Sequence, residues 1–408
     1  MRRAFSPLDE ALGLGAPQFA PQLVERLVQL GTWLPFHQVP QAAQALFRVS
    51  VSAETVRRLT EQAGTALLAA DDAALAQLAA GEPVPAEVGP ALQQLSVDGA
   101  MVPLVGGQWA EVKTVVVGTV VQHPAADGAP QPQAEALSYF SRLADADTFA
   151  EQATVETHRR GTDTAQQVCA PADGAVWVQH FVDLQRLDAV RILDFPHAAE
   201  HLGTAAAATF GAGSAAAQAW LCPVRQELRA GEPAAALAAL CQLPVAQAAD
   251  PVAAAAARDA EIGYFSSRWD QFQYAAFRQA GYPIGSGAVE SANKLVVEAR
   301  LKGSGMHWVP ANVNALLSLR TAWCSGRWAA RWQERDQQHR HACGAARRER
   351  VAGAPAATTL AAPPAPAPAR AATAAGAPAV PPVGLRTPPA HPWRRYGRSL
   401  TPRPAAKL

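Results

Sequence analysis

The run from Leu95 to Val102, apolar but for Ser96, Asp98 and Gly99, constrains this chain more than any other stretch. A second run from Trp109 to Val121 follows across Gly106-Gly107, and Val112, Val115, Val116, Val117, Val120 and Val121 make it strongly β-prone. The two read as a hairpin whose first strand carries a carboxylate. An ionised Asp in a strand of this kind needs a partner, because taking the charge out of water costs several kcal/mol or more. The partner is a metal ion, a basic side chain or backbone amides, and Gly99 keeps the simple turn reading open.

Helical periodicity dominates before the hairpin. It marks Leu23–Leu30, Val39–Phe47 and a helix capped by Ser52, with Glu54 in its first turn and Gly64 as its stop. Thr65–Ala80 reads as one more helix. The helix bearing Arg57 and Arg58 fits either a helix-turn-helix that reads a DNA groove or an ordinary small bundle with a solvated face. After the hairpin, His123–Gln133 reads as a loop and Ala134–Arg160 as helix. The acidic turn Asp173-Gly174 and the apolar run Ala189–His197 come next, and the Ala-rich stretch from Ala198 to Tyr282 reads as an all-helical insert. A helix then opens near Ser286 with Glu290 in its first turn or so, and runs to Lys302.

Composition matters at the far end. The 35 basic and 34 acidic residues balance over the chain, yet no acid occurs from Val351 onward. That Ala- and Pro-rich stretch is too poor in large apolar groups to repay chain ordering, and reads as a disordered tail whose basic, aromatic end is His391–Arg398. The five cysteines show no metal-ligand spacing, which suits a reducing cytosol without disulfides. No apolar stretch approaches the length of a membrane span.

Asp98, Asp173 and Glu290 share one trait: a strand or a Gly-rich turn delivers each to the edge of a core. Converging carboxylates suit hard cations such as Mg²⁺, which support in-line displacement at phosphorus. Asp194 and His197 form a second constellation, open between a functional pair and a structural histidine, with Asp194 competing with Asp173 for the same site.

Taken in order, Ser96–Ala100, Trp109–Lys113, Asp173-Gly174-Ala175 with Trp177, Ile192–Ala198 and Tyr282–Glu290 resemble insertion-sequence transposases of the Kra-four type. The stretches Lys302–Trp308 and His391–Arg394 look similar too. The resemblance implies an α/β fold: a ribonuclease-H-like mixed-sheet core (91–197 and 283–350) interrupted by the all-α insert (198–282). A helical, helix-turn-helix-like DNA-binding region (1–90) precedes it and the disordered tail (351–408) follows. It also implies a mobile-element transposase of the bacterial cytoplasm and nucleoid, acting on double-stranded DNA as a homo-oligomer with no membrane partner. Asp98 on the first core strand, Asp173 at the end of the fourth and Glu290 on the helix after the insert would bind Mg²⁺ or Mn²⁺ to cut and join DNA. Asp-x-x-His at Asp194 and His197 resembles a motif on the next strand of related transposases with helical inserts. Lys294, Arg300 and Lys302 would contact phosphates. The runner-up is a truncated, catalytically inactive DNA-binding protein of the same descent; a third reading is a nuclease that cuts without joining.

Overall fold

Valines on alternate positions of one strand face two different cores, and this places the hairpin at the centre of the molecule. The computed structural model describes residues 19–125, 128, 130–338 and 340. The tail from 351 to 408 and its basic end lie outside them. The strands are β1 (Leu92–Pro103), β2 (Trp109–Pro124), β3 (Pro130–Leu143), β4 (Gln167–Ala172) and β5 (Val190–Leu193). They form one five-stranded mixed sheet in the order β3-β2-β1-β4-β5. β1, β2 and β3 are antiparallel neighbours, whereas β4 runs parallel to β1 and β5 parallel to β4.

Helices cover both faces. On one face, Val97, Val115 and Val117 pack with Phe149 of α4 (Ala146–Arg159) and Phe181 of α5 (Val176–Gln185). On the other, Val102, Val112 and Val116 pack with Val289 of α11 (Gly287–Ala292) and Val313 of α13 (Pro310–Cys324). Such two-sided burial explains why β2 is almost continuously apolar where an exposed strand would alternate.

β3 corrects the first part of the expected helix from Ala134 to Arg160, whose remainder is α4, and the last four residues of the expected loop at His123–Gln133. Ala, Glu and Leu suit a helix, but β2 offers an open ladder, and β3 pairs with it from Pro124↔Pro130 to Val112↔Leu143. Tyr139 and Phe140 then fill the two opposite cores, which outweighs local propensity. The register slips between Val117 and Thr119, near Ala136 at φ 49°, as at a β-bulge. Helix resumes only after Asp145, whose carboxylate caps α4 through the Thr148 amide at 2.9 Å.

The helical insert begins at Phe195, a little before the expected Ala198. It comprises α6 (Phe195–Phe210), α7 (Ala215–Ala230), α8 (Pro233–Cys241), α9 (Pro251–Ser266) and α10 (Tyr274–Gln279). Leu202, Leu228, Leu240, Phe265 and Phe272 give it a core that continues onto Ile192 and Leu193 of β5.

The N-terminal helices are α1 (Pro21–Trp33), α2 (Val39–Phe47) and α3 (Ala53–Ala79). Ser52 caps α3 as expected, its Oγ accepting from the Thr55 amide at 3.1 Å. Gly64 does not stop the helix. A Cβ there would sit 2.1 Å from the Ala315 carbonyl oxygen, so Gly64 lets α3 cross α13 backbone to backbone. Val24, Val28, Ala63 and Leu67 share one core with Leu319, Trp328 and Trp332, the last two on a helix at 328–338. These helices thus share a core with α13 and with the helix at 328–338. Gly64→Ala is expected to destabilise by about 1–3 kcal/mol through overpacking, although helix propensity alone would favour Ala by about 1 kcal/mol. Urea denaturation reads the sign, and a gain in stability would contradict the close crossing.

Candidate functional site

Parallel pairing sets the height of the acids. β1 and β4 are paired only at Leu92–Gln94 against Gln167–Cys169 and then part. Asp98 lies four residues beyond Gln94 and Asp173 four beyond Cys169, so both reach the same level on either side of the gap. Ala172 is paired with Leu193, which brings Asp194 alongside Asp173, and the Asp194 amide donates to the Ala172 carbonyl at 2.8 Å. Asp173 and Asp194 therefore follow the carboxyl ends of β4 and β5, where open α/β sheets form their clefts, and Asp98 reaches the same level from the middle of β1, beyond the point where β4 leaves it.

Their surroundings differ. Burial pushes the Asp98 carboxyl up and the nearby Asp173 charge adds to it, against bonds from the Gly99 amide and Asn293 and the charge of His197. The Gly99 amide donates to Asp98 Oδ1 at 2.7 Å and Asn293 Nδ2 to Oδ2 at 2.9 Å. Asn293 Oδ1 is buried without a hydrogen-bond partner. Asp173 closes an Asx-turn by accepting from the Ala175 amide at 2.9 Å.

Asp194 is fully buried, and both its oxygens are engaged. Oδ1 accepts from the Ser286 amide at 2.6 Å, and Oδ2 accepts from His197 Nδ1 at 2.8 Å and from the His197 amide at 3.2 Å. It thereby caps α6 and ties β5 to the turn before α11. Burial alone would raise its pKa, but the hydrogen bonds from His197 and Ser286 hold it below the ordinary 3.8. The hydrogen bond to Asp194 raises His197 to about 9, so it is cationic at neutral pH.

Because its folded pKa exceeds the ordinary 6.5, His197 adds stability that is full below pH 6.5 and fades as pH rises through about 9. On the acid side the pair fails as pH falls through the depressed pKa of Asp194. The His197 side chain is 37 % exposed, so solvent screening reduces the effect to about 1 kcal/mol. His197→Ala should therefore lose that amount at pH 6 and very little at pH 10, measured by urea denaturation. Equal losses at both pH values would sink this account.

Glu290 sits on α11, one turn before Asn293, and its Oε1 accepts from Ser286 Oγ at 3.2 Å. The helix continues as a π-helix, Asn293–Glu298, and ends as α12, Ala299–Leu301. The Ala299 amide bonds back to Lys294 O and the Lys302 amide to Glu298 O, so one of the three carbonyls between must lack an in-helix donor. Arg320, fully buried on α13, donates to the Leu295 and Val296 carbonyls and fills that place.

The chain thus brings Asp98 and Asp173 to one level, near enough for their charges to interact, and joins Glu290 to Asp194 through Ser286. Among the described residues, no three His, Cys, Asp or Glu side chains group closely enough to hold a metal ion. The donor set of Asp98 and Asp173, with the unspent Asn293 Oδ1 beside them, nevertheless fits a hard cation. The sequence marks Ser286 only as a helix start and gives no signal for Asn293 or Arg320; only the Asp98 contact, far away in the chain, gives Asn293 meaning.

The basic residues fare differently. Arg300 is buried and not a surface phosphate contact: its Nε and Nη2 donate to the Gly31 carbonyl, each at 3.2 Å, and its guanidinium lies over Phe36 and Trp308. Arg57 is held by Glu54 and Glu61 on its own helix, and Lys302 pairs with Glu298 at 2.7 Å. Arg58 and Lys294 are exposed.

The chain matches no model of a known protein family, and no curated protein is significantly similar to it. Among the described residues no helix is long and apolar enough to cross a membrane.

Proposed function

We propose that this chain is a metal-dependent DNA transposase with a ribonuclease-H-like core, cutting mobile-element ends and joining them to target DNA. One observation carries the reading: Asp98 on the central strand and Asp173 just past its parallel neighbour lie level across an open gap. The strand order β3-β2-β1-β4-β5 and the return of Glu290 on the helix after an all-α insert support it as well.

Asp98 and Asp173 would hold Mg²⁺ or Mn²⁺, with Glu290 the third acid that the resemblance implies, and the ion when bound would supply Lewis-acid polarisation of the phosphate and an activated hydroxyl. The repulsion between Asp98 and Asp173 disfavours their joint ionisation and is relieved by a cation. His197, protonated and anchored through Nδ1, has its Nε2–H left to donate to a phosphate oxygen. Asp194, with both oxygens engaged, acts as the latch that sets the Ser286–Glu290 turn, so the second ligand is Asp173. Lys294 and Arg58 would touch the DNA backbone, and two copies would be needed to hold two ends together.

The test is cleavage and joining of a labelled duplex from the flanks of the encoding gene with Mg²⁺ or Mn²⁺. The wild type should cut and join, and Asp173→Ala should do neither while still binding DNA. Binding without cutting by the wild type would favour a non-catalytic DNA-binding protein; cutting without joining would favour a nuclease.

A further inference from the structure

We infer that Tyr264 and Arg268 of the helical insert are positioning residues that clamp the Asp173 turn. The relevance to catalysis rests on the reading of Asp173 as a metal ligand; the clamp itself rests on geometry. Tyr264, near the end of α9, donates from its hydroxyl to the Asp173 carbonyl at 2.8 Å. Arg268, just beyond α9, donates to the next carbonyl, that of Gly174, from Nε at 3.0 Å and Nη2 at 2.9 Å. Two consecutive carbonyls of the turn are therefore held from one side by the insert, which reaches them from some ninety residues further along the chain.

The clamp is itself braced. The Arg268 guanidinium lies 4.0 Å from the Tyr264 ring centroid and the His201 imidazole stacks on the same ring at 3.7 Å. Groups this close to one centroid cannot share a face, so Tyr264 is fixed from both sides. His201 in turn bonds Glu261 through Nδ1 at 2.7 Å. Gly174 has φ +80°, and a Cβ there would meet the Tyr264 hydroxyl at 2.7 Å and Leu193 Cδ1 at 2.9 Å. Only glycine lets the clamp come so near.

The arrangement gives the insert a task in the site. Asp173 follows the last residue of a short strand, and its side chain is set by its own Asx-turn bond to the Ala175 amide. Without the two insert side chains the turn's carbonyls would face water and the carboxylate would swing with them. Partners of this kind orient ligands and typically change metal affinity by about 10–100-fold.

Hydrogen exchange at the Ala175 amide tests this directly, by NMR on the full chain. Tyr264→Phe keeps the ring and removes one donor, and is expected to speed Ala175 exchange by roughly tenfold; adding Arg268→Met should speed it further, with Arg268→Lys in between. Tyr274→Phe is the matched control, because that hydroxyl donates to the Leu193 carbonyl at 2.9 Å and does not touch the Asp173 turn. Mn²⁺ titration should show about tenfold weaker binding for Tyr264→Phe. Unchanged Ala175 exchange in Tyr264→Phe, or an equal rise in Tyr274→Phe, overturns the clamp. A wild type that protects Ala175 yet neither binds Mn²⁺ nor cuts DNA would leave the clamp standing and remove the proposed function.

Discussion

Asp98→Asn is expected to abolish DNA cutting, by at least about a thousandfold, while leaving the protein more stable at pH 8 than the wild type. The two halves of this prediction have one cause. Burial and the Asp173 charge push the Asp98 carboxyl up, so the ionised form is less favourable in the folded chain than in the unfolded one. For a carboxyl whose folded pKa is raised, stability falls as pH rises through the unfolded value and remains lower once the group is ionised in both states. Replacing the charge with an isosteric amide removes that penalty and keeps an oxygen for the Gly99 amide. Destabilising residues are tolerated where chemistry needs them. Single-turnover cleavage and thermal melting at pH 8 give the two readings. Loss of stability in Asp98→Asn would mark the acid as structural, and full cutting would remove it from the site.

Asp71→Ala is expected to cost about 3–5 kcal/mol. Asp71 lies on α3, and its carboxylate accepts from Arg142 of β3 at 2.7 Å and from Arg331 on the helix at 328–338 at 2.6 Å. Arg142 and Arg331 are both buried, and the pull of burial on Arg142 is toward losing its charge, opposed chiefly by Asp71. Removing the acid would leave two cations close together in a low-dielectric interior, Arg142 without its ion-pair partner. Arg331 keeps an ion pair with Glu334 at 2.7 Å, whereas Arg142 keeps a hydrogen bond to the Ser141 carbonyl, the face of Phe140 and the more distant charge of Asp72, so most of the cost falls on Arg142. Adding Arg142→Met should recover much of the loss, because an apolar side chain of similar reach needs no partner. Urea denaturation of the single and double variants measures the coupling. Additive losses would mean that the two groups act independently.

The sequence alone determined the elements whose pattern is local. Two apolar, valine-containing runs either side of Gly106-Gly107 wrote the hairpin β1–β2, Ser52 wrote the start of α3, and the Gly- and Pro-rich stretch before Glu290 wrote the end of the insert. It also singled out Asp98, Asp173, Asp194, His197 and Glu290, because an acid at the end of an apolar run is conspicuous in one dimension. Whatever depended on partners distant in sequence was decided by tertiary structure. β3 is a strand because β2 offers it a ladder and two cores need Tyr139 and Phe140. Gly64 continues a helix because Ala315 comes too close for a side chain. Arg300 is buried because Phe36, Trp308 and the Gly31 carbonyl receive it, though its place in the sequence beside Lys302 suggests a solvated face. Asp194 and Asp173 look alike as short acids after apolar runs. Their surroundings differ only in the folded chain, where the Ser286 amide and His197 engage both oxygens of Asp194 while Asp173 Oδ1 accepts from the Ala175 amide of its own turn. Periodicity reports how a segment meets a surface, but the identity of that surface is a property of the whole chain.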